Sequence, residues 1–206
     1  MDDVNYDILK NNLKEKIIKL FYEYTKSNDI KNICGFCLNF DDKKLSFSVG
    51  FNTVKNYKEK IKTEIFTKEL IELDAMFNVD IWFEFIKIGS VRRLLNIRNK
   101  IKYKAKDLKD IKLNICEISL DLLDELKNLG LFNNTRNDFV ILFLTEYDTP
   151  KMVYEGNKNF NLEKIVVKYD KWLDKFDIKI QFEDWPNGEY EYHEGIIKNV
   201  VRRHST

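Results

Sequence analysis

The sequence is poor in the residues that build loops and in the residues of common catalytic centres. Its 206 residues include only 7 glycines, 2 prolines and 2 histidines. So few turn residues argue against a loop-rich all-β sandwich and favour long helices with a few strands. The histidines, His193 and His204, lie near no nucleophile motif, which argues against a Ser/His/Asp or Cys/His hydrolase. No glycine-rich phosphate-binding motif occurs in the sequence.

Long apolar runs and a strong net charge are also missing. No run approaches the roughly 20 apolar residues that a membrane-spanning helix needs. Three cysteines, an odd number, do not suit the disulfide framework of a secreted domain, and Met1-Asp2-Asp3 lacks the features of a signal peptide. The formal net charge of +1 gives no overall field for nucleic acid or an anionic membrane. We therefore expect a cytoplasmic protein that contacts no membrane.

The chain does contain enough apolar material for a large core. Hydrophobic residues make up 44% of the sequence, and 15 residues are phenylalanine, whose large ring dominates the energetics of burial. This composition predicts a single globular domain over residues 1–206. The C-terminal part, from about residue 183, is either part of that domain or an appendage to it.

The spacing of apolar residues predicts the order of the elements. Spacings of three and four predict helices over 3–27, 53–73, 115–129 and 162–176. Alternation or continuous apolar runs predict strands over 32–40, 45–51, 79–88, 139–144 and 178–182, with a hairpin turn at 41–44. We predict an α+β (mixed α/β) fold, with a central, mostly antiparallel sheet and an N-terminal hairpin packed against several amphipathic helices.

The segment Cys34-Gly35-Phe36-Cys37 has the spacing of a redox dithiol or of half a zinc site. A redox dithiol begins a helix, which lowers the pKa of its first thiol, but here a turn and a second strand follow. Residues three apart in a strand point to opposite faces, so the two sulfurs could share neither a bond nor an ion. We predict ordinary packed cysteines, no metal site and no cofactor.

Two carboxylates, Glu146 and Asp148, follow the predicted strand 139–144. Strand ends in α/β sheets often carry catalytic carboxylates, so the pair leaves open a metal-dependent hydrolase. The other interpretation is that both side chains only solvate the end of a buried strand. We assign no catalytic residues.

Residues 87–112 contain ten lysines and arginines and only two aspartates. Such a stretch can follow a phosphate backbone, or it can be neutralised within the fold. Tyr103 is the only aromatic residue among these charges, which is little for stacking on single-stranded bases. The candidate residues for nucleic-acid binding are Arg92, Arg93, Arg98, Lys100, Lys102 and Lys104.

Residues 174–194 have the opposite charge, with seven acidic residues and two basic ones. Their rings and carboxylates suit a protein interface, because Trp and Tyr serve as anchors while carboxylates attract a basic partner. A surface hairpin around the turn at Pro186-Asn187-Gly188 is the alternative. The candidate partner-binding residues are Trp185, Glu189, Tyr190, Glu191, Tyr192 and Glu194.

The order of elements over residues 5–175 resembles that of a family of small bacterial domains, some of which are encoded near polymorphic toxins and are regarded as immunity proteins. Asn52-Thr53 matches an "NT" after the second strand, and Asp138 through Asp148, "DFVILFLTEYD", matches a strand between two aspartates. "LKNLGLF" matches the end of a helix, whereas residues 75–112 fit the Trp-rich middle region of the family poorly and keep only Trp82 and Glu84 as a remnant of it. The resemblance implies a cytoplasmic, non-enzymatic domain that binds another protein.

Three hypotheses follow. The first is a non-enzymatic binding protein of the immunity type, whose partner is a toxin domain or another protein. The second is a nucleic-acid-associated protein that uses residues 87–112. The third is a metal-dependent hydrolase that uses Glu146 and Asp148.

Overall fold

The computed structural model describes residues 4–61, 68–79, 82, 84–96, 105–147 and 150–175. A four-stranded mixed sheet lies at the centre of this part of the chain. The strands are β1 (Ile33–Asp41), β2 (Ser46–Thr53), β3 (Glu84–Ser90) and β4 (Val140–Thr145). The helices are α1 (Tyr6–Ser27), α2 (Val54–Ile61), α3 (Lys68–Phe77), α4 (Val91–Leu94), α5 (Ala105–Asn128), α6 (Pro150–Phe160) and α7 (Glu163–Lys175). The predicted α+β class is therefore confirmed.

The strand order is β3-β2-β1-β4. β1 pairs antiparallel with β2 as the predicted hairpin, and β2 pairs antiparallel with β3. β4 is added parallel to β1, with Gly35 opposite Val140 and Phe40 opposite Thr145. The sheet is thus mostly antiparallel, as predicted, and its two edge strands are β3 and β4.

One face of the sheet, the first face, is covered by α1 and α5. Phe36, Leu38 and Phe40 of β1 point into this core, because alternate residues of a strand share a face. The long helix α1 begins at an Asn5 cap, whose side chain accepts a hydrogen bond from Ile8 N (3.0 Å). Its buried stripe, at spacings of three and four, comprises Leu9, Leu13, Ile17, Phe21 and Tyr24.

The opposite, second face carries a smaller core under α3 and α7. Cys37 of β1 and Leu142 of β4 contribute to it, together with Trp82. α3 and α7 meet through rings, since Phe77 packs on Tyr169 and Trp172 with centroids 5.3 and 5.9 Å apart. The sheet therefore lies between two helical layers, and β4 is buried on both faces as its continuous apolar sequence predicts.

Several element boundaries differ from those predicted. α5 begins at Ala105, ten residues before the apolar stripe that was recognised in the sequence. The helix α6 was not predicted at all, and β3 occupies Glu84–Ser90 instead of 79–88. The predicted strand at 178–182 lies outside the described residues. Among the described helices, none combines the length and the apolar character needed to cross a membrane.

Candidate binding surface at the edge of the sheet

The two cysteines of the C-x-x-C segment are part of the packing around β1. Cys37 is buried in the second-face core, and Cys34 lies where the pairing of β1 with β2 shifts register. Cys34, Cys37 and Cys116 are all free thiols. Burial, with a smaller contribution from nearby Asp138, raises the pKa of Cys34 to about 12, and burial also raises the pKa of Cys37. Both thiols stay protonated at neutral pH, so neither is an activated nucleophile.

The glycine of the same segment makes room for a tryptophan. A Cβ atom at Gly35 would lie 2.8 Å from Cη2 of Trp82 and 3.2 Å from Cβ of Asn52. The buried Asn52 in turn donates a hydrogen bond to the carbonyl oxygen of Ala75 (2.8 Å), which fixes α3 on this face. The C-G-F-C sequence therefore serves the close packing of the second face.

The carboxylate Glu146, at the end of β4, forms an ion pair with Lys43 of the hairpin turn (2.9 Å). Asp148 lies outside the described residues. Within the described ranges, no three His, Cys, Asp or Glu side chains are grouped so that they could hold a metal ion. What the structure shows at this strand end is an exposed ion pair that links the turn to β4.

The basic stretch is divided between a buried and an exposed environment. Lys112 forms a largely buried ion pair with Asp42 of the hairpin turn (2.8 Å), and its ammonium group lies 5.6 Å from the centre of the Tyr147 ring. Arg92 and Arg93, in contrast, are exposed on α4, which directly follows β3. The remaining candidates, Arg98, Lys100, Lys102 and Lys104, lie outside the described residues.

The acidic and aromatic segment predicted to bind a partner also lies outside the described residues. These candidates are Trp185, Glu189, Tyr190, Glu191, Tyr192 and Glu194. Their role stays a prediction, and a surface for a partner has to be sought among the described elements. The edges of the sheet are the natural place, because an edge strand carries backbone groups that another chain can pair with.

At the β4 edge, Asn157 of α6 and Asn161, which directly follows α6, occupy the position of a neighbouring strand. Asn157 accepts a hydrogen bond from Phe143 N (2.7 Å) and donates one to Phe143 O (3.1 Å). Asn161 does the same for Ile141, with distances of 2.9 and 2.6 Å. The spacings match, because four helical residues advance about 6 Å and two strand residues about 6.6 Å. The outward backbone groups of Ile141 and Phe143 are therefore satisfied.

At the β3 edge, no strand of the described chain pairs with the outer side of β3. Phe85 is 42% exposed, and its ring lies over Gly50, where an added Cβ atom would come within 2.9 Å of Cε1. Lys87, exposed and two residues further along, shares the face of Phe85. We call Phe85, Lys87, Arg92 and Arg93 the β3 edge surface.

The β3 edge surface carries positive charge on both sides of the strand. The side chain of Arg93 lies against Gly89, with 3.4 Å between Cδ and a Cβ atom built there. Gly89 has a φ of +141°, which favours glycine, and it pairs with Phe47 of the first face. Within the described residues, neither Lys87 nor Arg93 has a carboxylate partner.

Comparisons of the chain with protein-family models, with curated proteins and with solved structures gave no match. The geometry of the described residues is therefore the basis on which a function can be proposed.

Neither the asparagines that cover the β4 edge nor the position of β3 at the other edge was predicted from the sequence. The asparagines at 157 and 161 are four apart in "NKNFN", a spacing that would have indicated two amides on one face of a helix. Phe85 and Lys87 were part of a predicted strand, but nothing in the sequence indicated that this strand would lie at an edge. Strand order depends on long-range pairing, which a local pattern does not record.

Proposed function

We propose that the chain is a binding protein of the immunity type, which recognises another protein through the β3 edge surface. The observation that carries the proposal is the difference between the two edges: α6 satisfies the outward backbone groups of β4, and no described element does so for β3. An extended segment of a partner can add to such an edge through main-chain hydrogen bonds. The toxin domain as partner is suggested by the resemblance of the element order to immunity-protein-like domains.

The exposed aromatic ring of Phe85 supports this proposal. Large aromatic side chains that become buried in an interface contribute a disproportionate share of binding energy. The ring of Phe85 lies over Gly50 and is 42% exposed, so it presents aromatic surface that a partner can bury.

Nucleic acid remains the second candidate, because Lys87, Arg92 and Arg93 form an exposed basic group around β3. The largely buried pairing of Lys112 with Asp42 removes one charge of the stretch from that group. Binding to a phosphate backbone weakens steeply with salt and tolerates the loss of an aromatic ring. An edge-strand interface depends on the ring and much less on salt.

The test is co-expression with the protein encoded by the neighbouring gene, followed by co-purification. The proposal expects a complex, and growth protection if that protein is toxic. Phe85→Asp should abolish the complex, because a carboxylate at the centre of the interface would be desolvated without a partner. A complex that survives Phe85→Asp unchanged would place the contact elsewhere and contradict the proposal.

The matched control is Tyr22→Asp. Tyr22 is an aromatic residue of α1 with 56% exposure, and it is far from β3 in the sequence. This variant introduces the same charge at an exposed ring, so it reports any general effect of the substitution on folding. We expect Tyr22→Asp to keep the complex.

A further inference from the structure

The side chains around β3 restrict the kind of segment that can pair with it. A strand added beside β3 would place alternate side chains on the two faces of the sheet. Those on the second face would lie next to Phe85 and Lys87, and those on the first face would lie towards Arg93. Each position of an added strand therefore meets a defined neighbour.

On the second face, Phe85 and Lys87 are two residues apart and exposed. Directly opposite side chains of neighbouring strands lie about 5 Å apart and interact as pairs. An apolar or aromatic residue suits the position beside Phe85, and a carboxylate suits the position beside Lys87. The two partner residues would themselves be two apart in sequence.

On the first face, the side chain of Arg93 lies against Gly89, and Arg93 is an exposed residue. An arginine favours a planar anion such as a carboxylate. An exposed cation is thus available on both faces of the edge, whereas Lys112 of the same basic stretch is paired with Asp42.

Resting on the proposed function, we infer that the partner presents an extended acidic segment in which an apolar residue and a carboxylate are two residues apart. The carboxylate pairs with Lys87, and a second acidic residue of opposite parity pairs with Arg93. The main-chain hydrogen bonds provide affinity, and the charges select the segment and its register. A basic or neutral segment of the same β-propensity is rejected, since like charges on directly opposite positions are unfavourable.

The experiment uses the full chain and two synthetic peptides of about eight residues, the length of β3 with one residue to spare. Both place a valine and a charged residue two positions apart on one face of the strand and a second charged residue on the other face; one peptide carries glutamate and the other lysine. Amide chemical shifts of β3 are followed during titration. We expect the glutamate peptide to bind at least about tenfold more tightly and to shift Phe85 and Lys87. Equal affinities of the two peptides, or shifts confined to other elements, would overturn the inference.

Charge reversal provides the decisive variant. Lys87→Glu should remove most of the preference for the glutamate peptide, because the peptide carboxylate then meets a like charge on the second face while Arg93 still attracts one on the first face. Tyr22→Lys is the control and should leave the preference unchanged. A single-stranded oligonucleotide serves as the competitor. If it does not displace the glutamate peptide and shifts only the amide resonance of Arg92, the result supports the inference. If it binds more tightly than the glutamate peptide, the result overturns the inference.

One outcome separates this inference from the proposed function, and a second would overturn both. If the complex with the neighbouring-gene product is lost on Phe85→Asp but insensitive to Lys87→Glu, the proposed function stands and the acidic partner segment is wrong. If hydrogen exchange of the full chain alone shows the outward amides of β3 to be as protected as those of Ile141 and Phe143, the edge is already covered. That second result would overturn both.

Discussion

The two edges of the sheet differ in how the outward backbone groups of the edge strand are satisfied. At β4, Asn157 and Asn161 each accept from and donate to one strand residue, so that a helix takes the place of a fifth strand. At β3, no described strand takes that place, and a partly exposed ring with flanking cations lies beside the strand. Unpaired edges invite association, so proteins usually protect them. In the described chain, two side-chain amides seal one edge, and exposed charge flanks the other.

The largest effect is expected where the protected edge is broken. Asn157 is 1% exposed and also lies 3.3 Å from the hydroxyl of Tyr169. Asn157→Ala would leave the backbone groups of Phe143 buried without partners, and we expect a loss of about 3 kcal/mol in the free energy of unfolding. Urea denaturation measures it, and hydrogen exchange should show lost protection at the Phe143 amide.

The control for this prediction is Asn161→Ala. Asn161 is only partly buried, so water can replace its amide, and we expect a loss of about 1 kcal/mol. Equal effects of the two substitutions would mean that burial does not distinguish the two amides. The role assigned to Asn157 in sealing the edge would then be wrong.

The second prediction compares two glycines that lie under aromatic rings on the second face of the sheet. At Gly35, beside β4, an added methyl group meets the buried Trp82 at 2.8 Å, and at Gly50, beside β3, it meets the exposed Phe85 at 2.9 Å. Gly35→Ala should cost about 2 kcal/mol of stability because the indole cannot move away. Gly50→Ala should cost less than about 1 kcal/mol, because Phe85 can swing into solvent.

Thermal unfolding of the two glycine variants provides this comparison directly. Gly50→Ala should in addition weaken binding at the β3 edge surface, since it displaces the ring. If Gly50→Ala were as destabilising as Gly35→Ala, Phe85 would be held as firmly as Trp82, and the contrast between a closed and an open edge would lose its support.

Some helices and strands of the fold could be predicted from the sequence, and others could not. The hairpin and the buried strand β4 were predictable, because alternation and a continuous apolar run are local signals. The helix α6 was not, since its sequence after Pro150 mixes asparagine, glycine and lysine without a clean apolar stripe. Its fold depends on tertiary contacts, namely the amides that bind β4, and such contacts override weak propensity.

The order of the strands was likewise beyond a local reading. β1 pairs with β4, although the paired residues lie more than a hundred positions apart in the sequence. This pairing makes β1 an interior strand of the sheet. The sequence therefore indicated most of the helices and strands and the fold class. The position of Phe85 on an edge strand became visible only in the assembled sheet. The C-x-x-C segment illustrates the converse, because a motif that suggests chemistry is used for packing around Trp82.

The third prediction concerns alkaline pH, which should loosen the protected side of the sheet. Burial raises the pKa of Cys34 from 9.0 to about 12 and that of Tyr169, beside Asn157, from 10.0 to about 12. The unfolded chain loses these protons first as pH rises, so their contribution to stability is complete below pH 9 and is lost as pH approaches 12. Urea denaturation at several pH values in this range measures the decrease in the free energy of unfolding.

The variant that sharpens this prediction is Tyr57→Phe. Burial, with a smaller contribution from Glu72, raises the pKa of Tyr57 to about 12, so the substitution removes one titrating group and should make the decline shallower. A stability that does not change between pH 9 and pH 12 would show that these groups are accessible to solvent in the folded chain.

The smallest effect is expected at the exposed ion pair beside the end of β4. Glu146 is 63% and Lys43 is 58% exposed at the side chain, and exposed pairs of this kind contribute little. Glu146→Gln should change the free energy of unfolding by no more than about 0.5 kcal/mol. Metal titration followed by the melting temperature tests the hydrolase hypothesis in parallel, and a shift with Mg²⁺ or Mn²⁺ that disappears in Glu146→Gln would revive it.

The parallel pairing of β1 with β4 has a consequence for synthesis on the ribosome. The hairpin of β1 and β2 can close as soon as its residues emerge, because it needs only local contacts. The central position of β1 is completed only when Val140 has been translated, and the sealing amides of α6 follow after that. A growing chain therefore leaves one flank of β1 unpaired with β4 while the residues between Asp41 and Val140 are added, and chaperone contact during that interval should concentrate there.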